Sequence, residues 1–272
     1  MLYECIALLL LLLCVCVCPF QFQEYNKHRT IQNTERERER EKVREKRMSK
    51  ESTTKSVWLV RHGQSVFNEK MDSYFEKNAS EKHDVEKDPY EWWERNDHYD
   101  PFTRDAELTH KGIEQAHSVG EKIKDLQFDL IVVSPLLRAL RTLKGIAKAR
   151  KEKVNVIVHP FACERVNSSC DVGSSISVLK KTFSDLDFST LKEGKNWYAL
   201  SGSYEGSFAC VPDMAPPKRM EPLDKFSKRI DKFKSWLKSR PEKRICVVCH
   251  AVVIHEFTNT WVSNCSVTRI PL

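Results

Sequence analysis

Residues 129–142 read DLIVVSPLLRALRT. The opening run Asp129–Val133 is short, apolar and β-branched, as a strand buried on both faces would be. Ser134-Pro135 ends it, and Leu136–Ala149 continues as a helix. Three more runs repeat the strand signal: SVWLV at 56–60, VNVIV at 154–158 and RICVVC at 244–249. Leu108–Asp125 reads as a helix that Thr109 can cap, with Ile113, Ala116, Val119, Gly120 and Ile123 on one side. Pro222–Ser239 is amphipathic through Phe226, Ile230, Phe233 and Leu237. A further helix is expected near Val252–Thr260, and a short last strand over Cys265–Ile270. Strands that are nearly all apolar and alternate with helices predict a mostly parallel sheet covered on both faces. The fold class expected is α/β, a three-layer α/β/α sandwich spanning roughly 56–270.

Two segments interrupt the rhythm. Residues 69–107 form an insertion rich in charge and aromatics, including Tyr74, Phe75, Tyr90, Trp92, Trp93, Tyr99 and Phe102. Residues 184–221 carry Gly, Pro and Ser and look loop-like. Loops that long in a compact domain usually serve as lids or remain disordered.

The N-terminal 47 residues are different material. The apolar run Cys5–Phe20 is sixteen residues long, short of the roughly 20 that span a bilayer. Glu4 precedes it without any Lys or Arg, so it is a poorly formed signal peptide. From Glu35 to Glu41 the charges alternate strictly, which sets like charges at every i,i+4 pair of a helix. Cys-Val-Cys-Val and Glu-Arg-Glu-Arg are also what translated TG and GA dinucleotide repeats give. Residues 1–47 are therefore expected to be upstream sequence swept into the predicted gene, with the natural start at Met48; a short anchor is the alternative. The organisation expected is this segment followed by one domain over 48–272 that carries the 69–107 insertion.

Composition narrows the function. Of 272 residues, 40% are hydrophobic and 31% charged, which suits a globular chain with its own core. A formal charge of +7 allows a basic site for an anionic substrate but falls short of a nucleic-acid binder's footprint. Cys163, Cys170, Cys210, Cys246, Cys249 and Cys265 form no small-domain disulfide framework, so a reducing, cytoplasmic setting is the default. A membrane-anchored or secretory location through residues 1–20 is the alternative, and only then would a membrane be a partner.

In a parallel sheet, ligands bind beyond the carboxyl ends of the strands. The first strand ends in Arg61-His62-Gly63, the second leads to Arg138 in the first turn of its helix, the third leads past His159 to Glu164, and the fourth ends at His250. Two guanidiniums can grip phosphate oxygens and offset charge in the transition state. An imidazole can attack phosphorus, and a protonated Glu can supply the leaving oxygen with a proton. No metal or other cofactor is called for, because the arginines neutralise the charge.

LVRHGQSVFN (59–68), ELTHKGIEQA (107–116), SPLLRALRT (134–142) and VVCHAVVI (247–254) resemble the successive signatures of the histidine phosphatase, or phosphoglycerate mutase-like, superfamily, branch 1. ERVNSSCDVGSS (164–175) followed by FSDLDFS (183–189) is similar to the broad phosphoglycerate mutase-like phosphatases of plants, fungi and protists. The resemblance implies a phosphomonoester hydrolase with His62 as the nucleophile that becomes phosphohistidine. It implies a phosphate pocket of Arg61, Arg138 and His250, with Asn68 and the backbone at Ala251 contributing. Glu164 would be the proton donor, with Asp171 as the fallback. A small phosphorylated metabolite or a phosphoprotein is the substrate expected, and no nucleic acid; oligomeric state is not legible.

Other readings have features of their own. The mutase branch carries Arg-His-Tyr-Gly around its acid, where this chain has Cys163-Glu164-Arg165-Val166, so a mutase-type transferase is the second choice. A pseudophosphatase that only binds a phospho-ligand would not need the full set of catalytic residue types. Cys246-Val247-Val248-Cys249-His250 fits the pattern of c-type haem attachment. Cysteines at i and i+3 of a strand point to opposite faces, however, and that reading leaves Arg61, His62 and Arg138 unexplained. No second Cys-x-x-Cys or His-x-x-x-His pair supports zinc, and no Cys-x5-Arg supports a cysteine phosphatase. His83, His98, His110, His117, His159 and His255 are read as structural.

Overall fold

The computed structural model describes residues 55–81, 103–191 and 221–272. The N-terminal segment 1–47, the lid reading of Trp92 and Trp93, and most of the 184–221 loop lie outside the described residues.

Five strands build one sheet: β1 (Ser56–Arg61), β2 (Leu130–Val133), β3 (Val156–Val158), β4 (Arg244–Cys249) and β5 (Val267–Pro271). Their spatial order is β3-β2-β4-β1-β5. The first four are mutually parallel, and β5 joins the edge antiparallel to β1. The described helices are α1 (Val66–Lys77), α2 (His110–Ile123), α3 (Leu137–Ala149), α4 (Ile176–Thr182), α5 (Leu223–Ser239) and α6 (Ala251–Thr258).

Side-chain alternation along the strands divides the core in two. Val60, Ile131, Val133, Cys246 and Val248 face α2, α3 and α4, where Val119, Leu140, Leu143, Ile146 and Leu179 meet them. Leu59, Leu130, Val132, Ile245, Val247 and Cys249 face α5 and α6 on the other side. Phe226, Ile230, Phe233 and Leu237 of α5 are fully buried there, and each contributes about 1.5–3 kcal/mol of hydrophobic stabilisation. This is the α/β/α sandwich that the sequence pattern predicts. Cys246 and Cys249 sit in opposite cores, which is incompatible with a shared haem attachment.

Several local expectations need correction. Ile113 is 46% exposed; the buried stripe of α2 is Gly112, Ala116, Val119, Gly120 and Ile123, and Ile113 falls just off it. β3 begins at Val156 rather than Val154, and the last strand begins at Val267 rather than Cys265. The head of the 69–107 insertion is helical, because α1 runs to Lys77 from a capping box between Ser65 and Asn68. α4 was not foreseen; Ser175 caps it, with the hydroxyl accepting from the Val178 N–H.

Two close approaches fix the loop after β1. A Cβ on Gly63 would lie 2.4 Å from the Gly112 carbonyl oxygen, and one on Gly112 would lie 2.0 Å from that of Gln64. Both are backbone atoms, so only glycine lets the start of α2 touch the turn that follows β1. None of the described helices is long and apolar enough to cross a membrane.

Candidate active site

The parallel strands end at one edge of the sheet, and the reactive side chains follow them there. Arg61 pairs with Cys249 in the β1–β4 register, so His62 and His250 emerge side by side, with ring centroids 5.1 Å apart. The His62 N–H donates to the Cys249 carbonyl, which locks the turn (3.0 Å). Gly63 is held in turn by donating to the Thr142 hydroxyl of α3 (3.0 Å).

The His62 ring has a defined polarity. Its Nδ1 lies 2.7 Å from the Gly63 carbonyl oxygen, which can only accept, so Nδ1 carries the proton. Nε2 is then the lone-pair nitrogen, and the Arg138 Nε–H donates to it (3.3 Å). Burial, followed by the charges of Arg138 and Arg61, pushes the His62 pKa well below the usual histidine range. The ring is a neutral imidazole with its free electron pair aimed among cations.

Arg138 is placed by α3 and fixed by an irregular loop. Its Nη1 donates to the Cys170 carbonyl (2.6 Å) and its Nη2 to Asp171 Oδ1 (2.7 Å). Asp171 Oδ2 accepts from the Asn167 and Ser168 N–H groups (3.2 and 3.3 Å). Asp105 accepts from the N–H of Leu137 (2.9 Å) and of Ser174 (2.7 Å), and so ties the start of α3 to the same loop. Both Asp171 oxygens are thus engaged, one by the Arg138 guanidinium and the other by backbone N–H donors.

Glu164 has the contrasting environment. Its Oε1 accepts from the Arg165 N–H (2.9 Å) and its Oε2 from the Val252 N–H at the start of α6 (3.2 Å). No cationic side chain is hydrogen-bonded to it among the described residues. Burial, followed by the charge of Asp171, raises its pKa to about 7 against the opposing pull of Arg138 and the two N–H donors. A carboxyl poised near neutrality suits proton transfer in either direction.

Among the described residues, two buried atoms of the cluster have no hydrogen-bond partner, Arg61 Nε and His250 Nδ1. Arg61 is otherwise anchored by donating from Nη1 to the Val262 carbonyl (2.6 Å). His250 Nε2 lies 2.8 Å from the Ser134 hydroxyl. When that hydroxyl donates to it, the ring proton sits on Nδ1, and Arg61 and His250 each then carry a donor without a partner among the described residues. Orphaned buried donors are costly, and an oxyanion is the ligand that would satisfy both. Asn68 lies at the rim, where its Oδ1 accepts from the Ser65 N–H (3.2 Å) and the Asn264 amide (3.3 Å), so any phosphate contact would come from its Nδ2. Ala251 opens α6 directly after His250.

The structure thus brings together Arg61, His62, Arg138, Glu164 and His250, with Asn68 beside them. His159, at the end of β3, does not join them. Its ring packs among Phe161, Phe233 and Trp236, and burial lowers its pKa to about 4. Sequence reasoning missed Asp105, Asn264, Glu221 and Arg229. Asn264 donates to the His62 carbonyl (3.0 Å), yet nothing in the local sequence distinguishes it from other loop asparagines.

The sequence pattern that defines the histidine phosphatase superfamily (branch 1) matches residues 101–166. A phosphoglycerate mutase-like protein 1 of Arabidopsis thaliana is 25% identical over 78% of this chain and 73% of its own length. The chain is thus similar to histidine phosphatase superfamily (branch 1) members over residues 101–166 and to phosphoglycerate mutase-like proteins over most of its length. A second Arabidopsis thaliana phosphoglycerate mutase-like protein shares 22% identity over 78% of this chain and 76% of its own. Among solved structures, the ecdysone phosphate phosphatase of Bombix mori aligns over 79% of this chain and 88% of that one, with 16% identity and a TM-score of 0.46. The proteins that resemble this chain thus carry phosphatase and mutase-like names.

Proposed function

We propose that this chain is a histidine phosphatase that hydrolyses phosphomonoesters through a phosphohistidine on His62. The observation that carries the reading is the His62 ring itself: Nδ1 is held by a carbonyl, and Nε2 presents a lone pair beside Arg138.

The substrate's phosphoryl group enters between Arg61, Arg138 and His250. The Arg138 Nε–H, keeping its proton, switches its hydrogen bond from the His62 lone pair to a phosphoryl oxygen, which frees Nε2 to attack. The N–P bond forms as the ester P–O bond breaks, and the leaving oxygen takes the Glu164 proton. Positive charge that develops on the ring is shared with the Gly63 carbonyl through Nδ1–H. Water then attacks phosphorus and gives a proton to the Glu164 carboxylate as the N–P bond breaks. Inorganic phosphate leaves with both groups restored. The arginines and preorganised N–H donors stabilise the charge on the transferring group throughout.

The test is release of inorganic phosphate from a panel of aryl and alkyl phosphomonoesters, sugar phosphates and phosphopeptides. Turnover of at least the aryl esters is expected. Binding without release would show a pseudophosphatase, and phosphoryl transfer to a phosphoglycerate in preference to water would show a mutase; either overturns hydrolysis as the activity.

A further inference from the structure

Glu164 lies on a stretch without regular structure, between the 3₁₀ turn Pro160–Ala162 and the 3₁₀ turn Ser169–Asp171. Carbonyls of such a stretch have no ladder or helix to accept for, and inside a protein each needs a donor. Arg229, from the middle of α5, supplies donors to two of them and to one carbonyl of the first 3₁₀ turn. Its Nη1 donates to the carbonyls of Phe161 (3.1 Å) and Cys163 (3.0 Å), and its Nη2 to that of Glu164 (3.1 Å). The remaining two N–H groups form a two-pronged pair with the Glu221 carboxylate, at 2.9 and 2.6 Å. All five guanidinium donors are used.

Glu221 is joined to the same stretch by its backbone. Its N–H donates to the Val166 carbonyl, and its own carbonyl accepts from Arg165 Nε, both at 2.8 Å. The Arg229 and Glu221 side chains are 5% and 3% exposed. A buried ion pair is seldom more stable than the apolar pair that could replace it, so stability alone does not account for this one. What an apolar pair could not do is hold the Phe161, Cys163 and Glu164 carbonyls beside the acid.

We infer that Arg229 and Glu221 are positioning residues, which fix the backbone of Glu164 so that its carboxyl meets the leaving oxygen. The inference rests on the reading of Glu164 as general acid. Lysine at 229 would keep the charge but lose the planar fork that reaches a carboxylate and three carbonyls at once. The expected defect is thus in proton donation, and it grows with the leaving group's need for a proton.

The experiment compares kcat/KM for 4-nitrophenyl phosphate, whose leaving group departs readily as an anion, with that for phenyl phosphate, whose leaving group needs the proton. This ratio covers only steps through leaving-group departure, so the second half-reaction does not enter. Arg229→Lys is expected to lose about 10- to 100-fold more on phenyl phosphate than on 4-nitrophenyl phosphate. Glu164→Gln should show the same selectivity in larger measure. If Arg229→Lys does not fold, Glu221→Asp, which retracts the carboxylate by one methylene, takes its place. An equal loss on both esters, or no loss in a folded variant, would overturn the inference. Wild-type protein that turns over neither ester would instead overturn the functional reading, and this is seen before any variant is made.

Discussion

The two halves of the active site are held in different ways. His62, His250 and Arg138 sit at a strand end, a strand end and a helix start, where the β1–β4 register and the Ser134 and Thr142 contacts set their places. Glu164 sits on irregular backbone and Asp171 in a short 3₁₀ turn, and both are held by groups from distant parts of the chain, the Arg138 and Arg229 side chains and the Glu221 backbone. The first half is positioned by the fold, and the second by buried hydrogen bonds. Each half should therefore fail in its own manner when disturbed.

Glu164→Gln removes the only carboxyl that burial raises to about 7 among the groups of the cluster, and costs about 10²–10⁴-fold in kcat/KM on esters with poor leaving groups. Because the acid must be protonated, the wild-type rate on such esters falls as pH rises through about 7. That limb should vanish in Glu164→Gln. The stability effect has the same origin: the native state holds the Glu164 proton more tightly than the unfolded chain, so wild-type stability falls as pH rises from the ordinary carboxyl range towards about 7. Thermal melts should show Glu164→Gln gaining on wild type across that range. A wild-type rate that is flat through neutrality would break the assignment.

Asp171→Asn tests the loop through its ion pair. It leaves the buried Arg138 charge without its partner and sets an amide against the Asn167 and Ser168 N–H donors, a loss of about 3–5 kcal/mol in denaturant unfolding. Its effect on activity should extend to both good and poor leaving groups, because Arg138 serves the phosphoryl group itself. A loss confined to poor leaving groups would instead make Asp171 part of the acid machinery.

Gly112→Ala tests the half that the fold positions. The new Cβ would lie 2.0 Å from the Gln64 carbonyl oxygen, so the turn after β1 must shift, at about 1–3 kcal/mol of stability by calorimetry. Activity should fall on both esters alike, since His62 moves with that turn. Unchanged activity would show that the close approach does not position the nucleophile.

The same division explains what could be read from the sequence. SVWLV, DLIVV and RICVVC are long enough and apolar enough to declare buried strands, and once they are parallel their carboxyl ends must share an edge. His62, His250 and Arg138 were legible for that reason. α1 was not, because only Phe67 among its residues is buried and it shows no apolar stripe. Ser65 and Asn68 gave the sole hint, with Asn in place of the Glu or Gln usual in a capping box. Arg229 reads as one more cation on a lysine-rich helix, and its burial beside Phe226 depends on tertiary packing. Glu164 could be named but not separated from Asp171, since the choice turns on which carboxylate Arg138 engages.

On this reading His62 Nε2 takes the phosphoryl group. Rapid acid-free quenching of the protein with an aryl phosphate, followed by peptide mapping, tests it directly. Phosphate is expected on His62, stable to base, labile to acid and absent from His62→Ala. Phosphate carried on another residue, or steady turnover by His62→Ala, would contradict it.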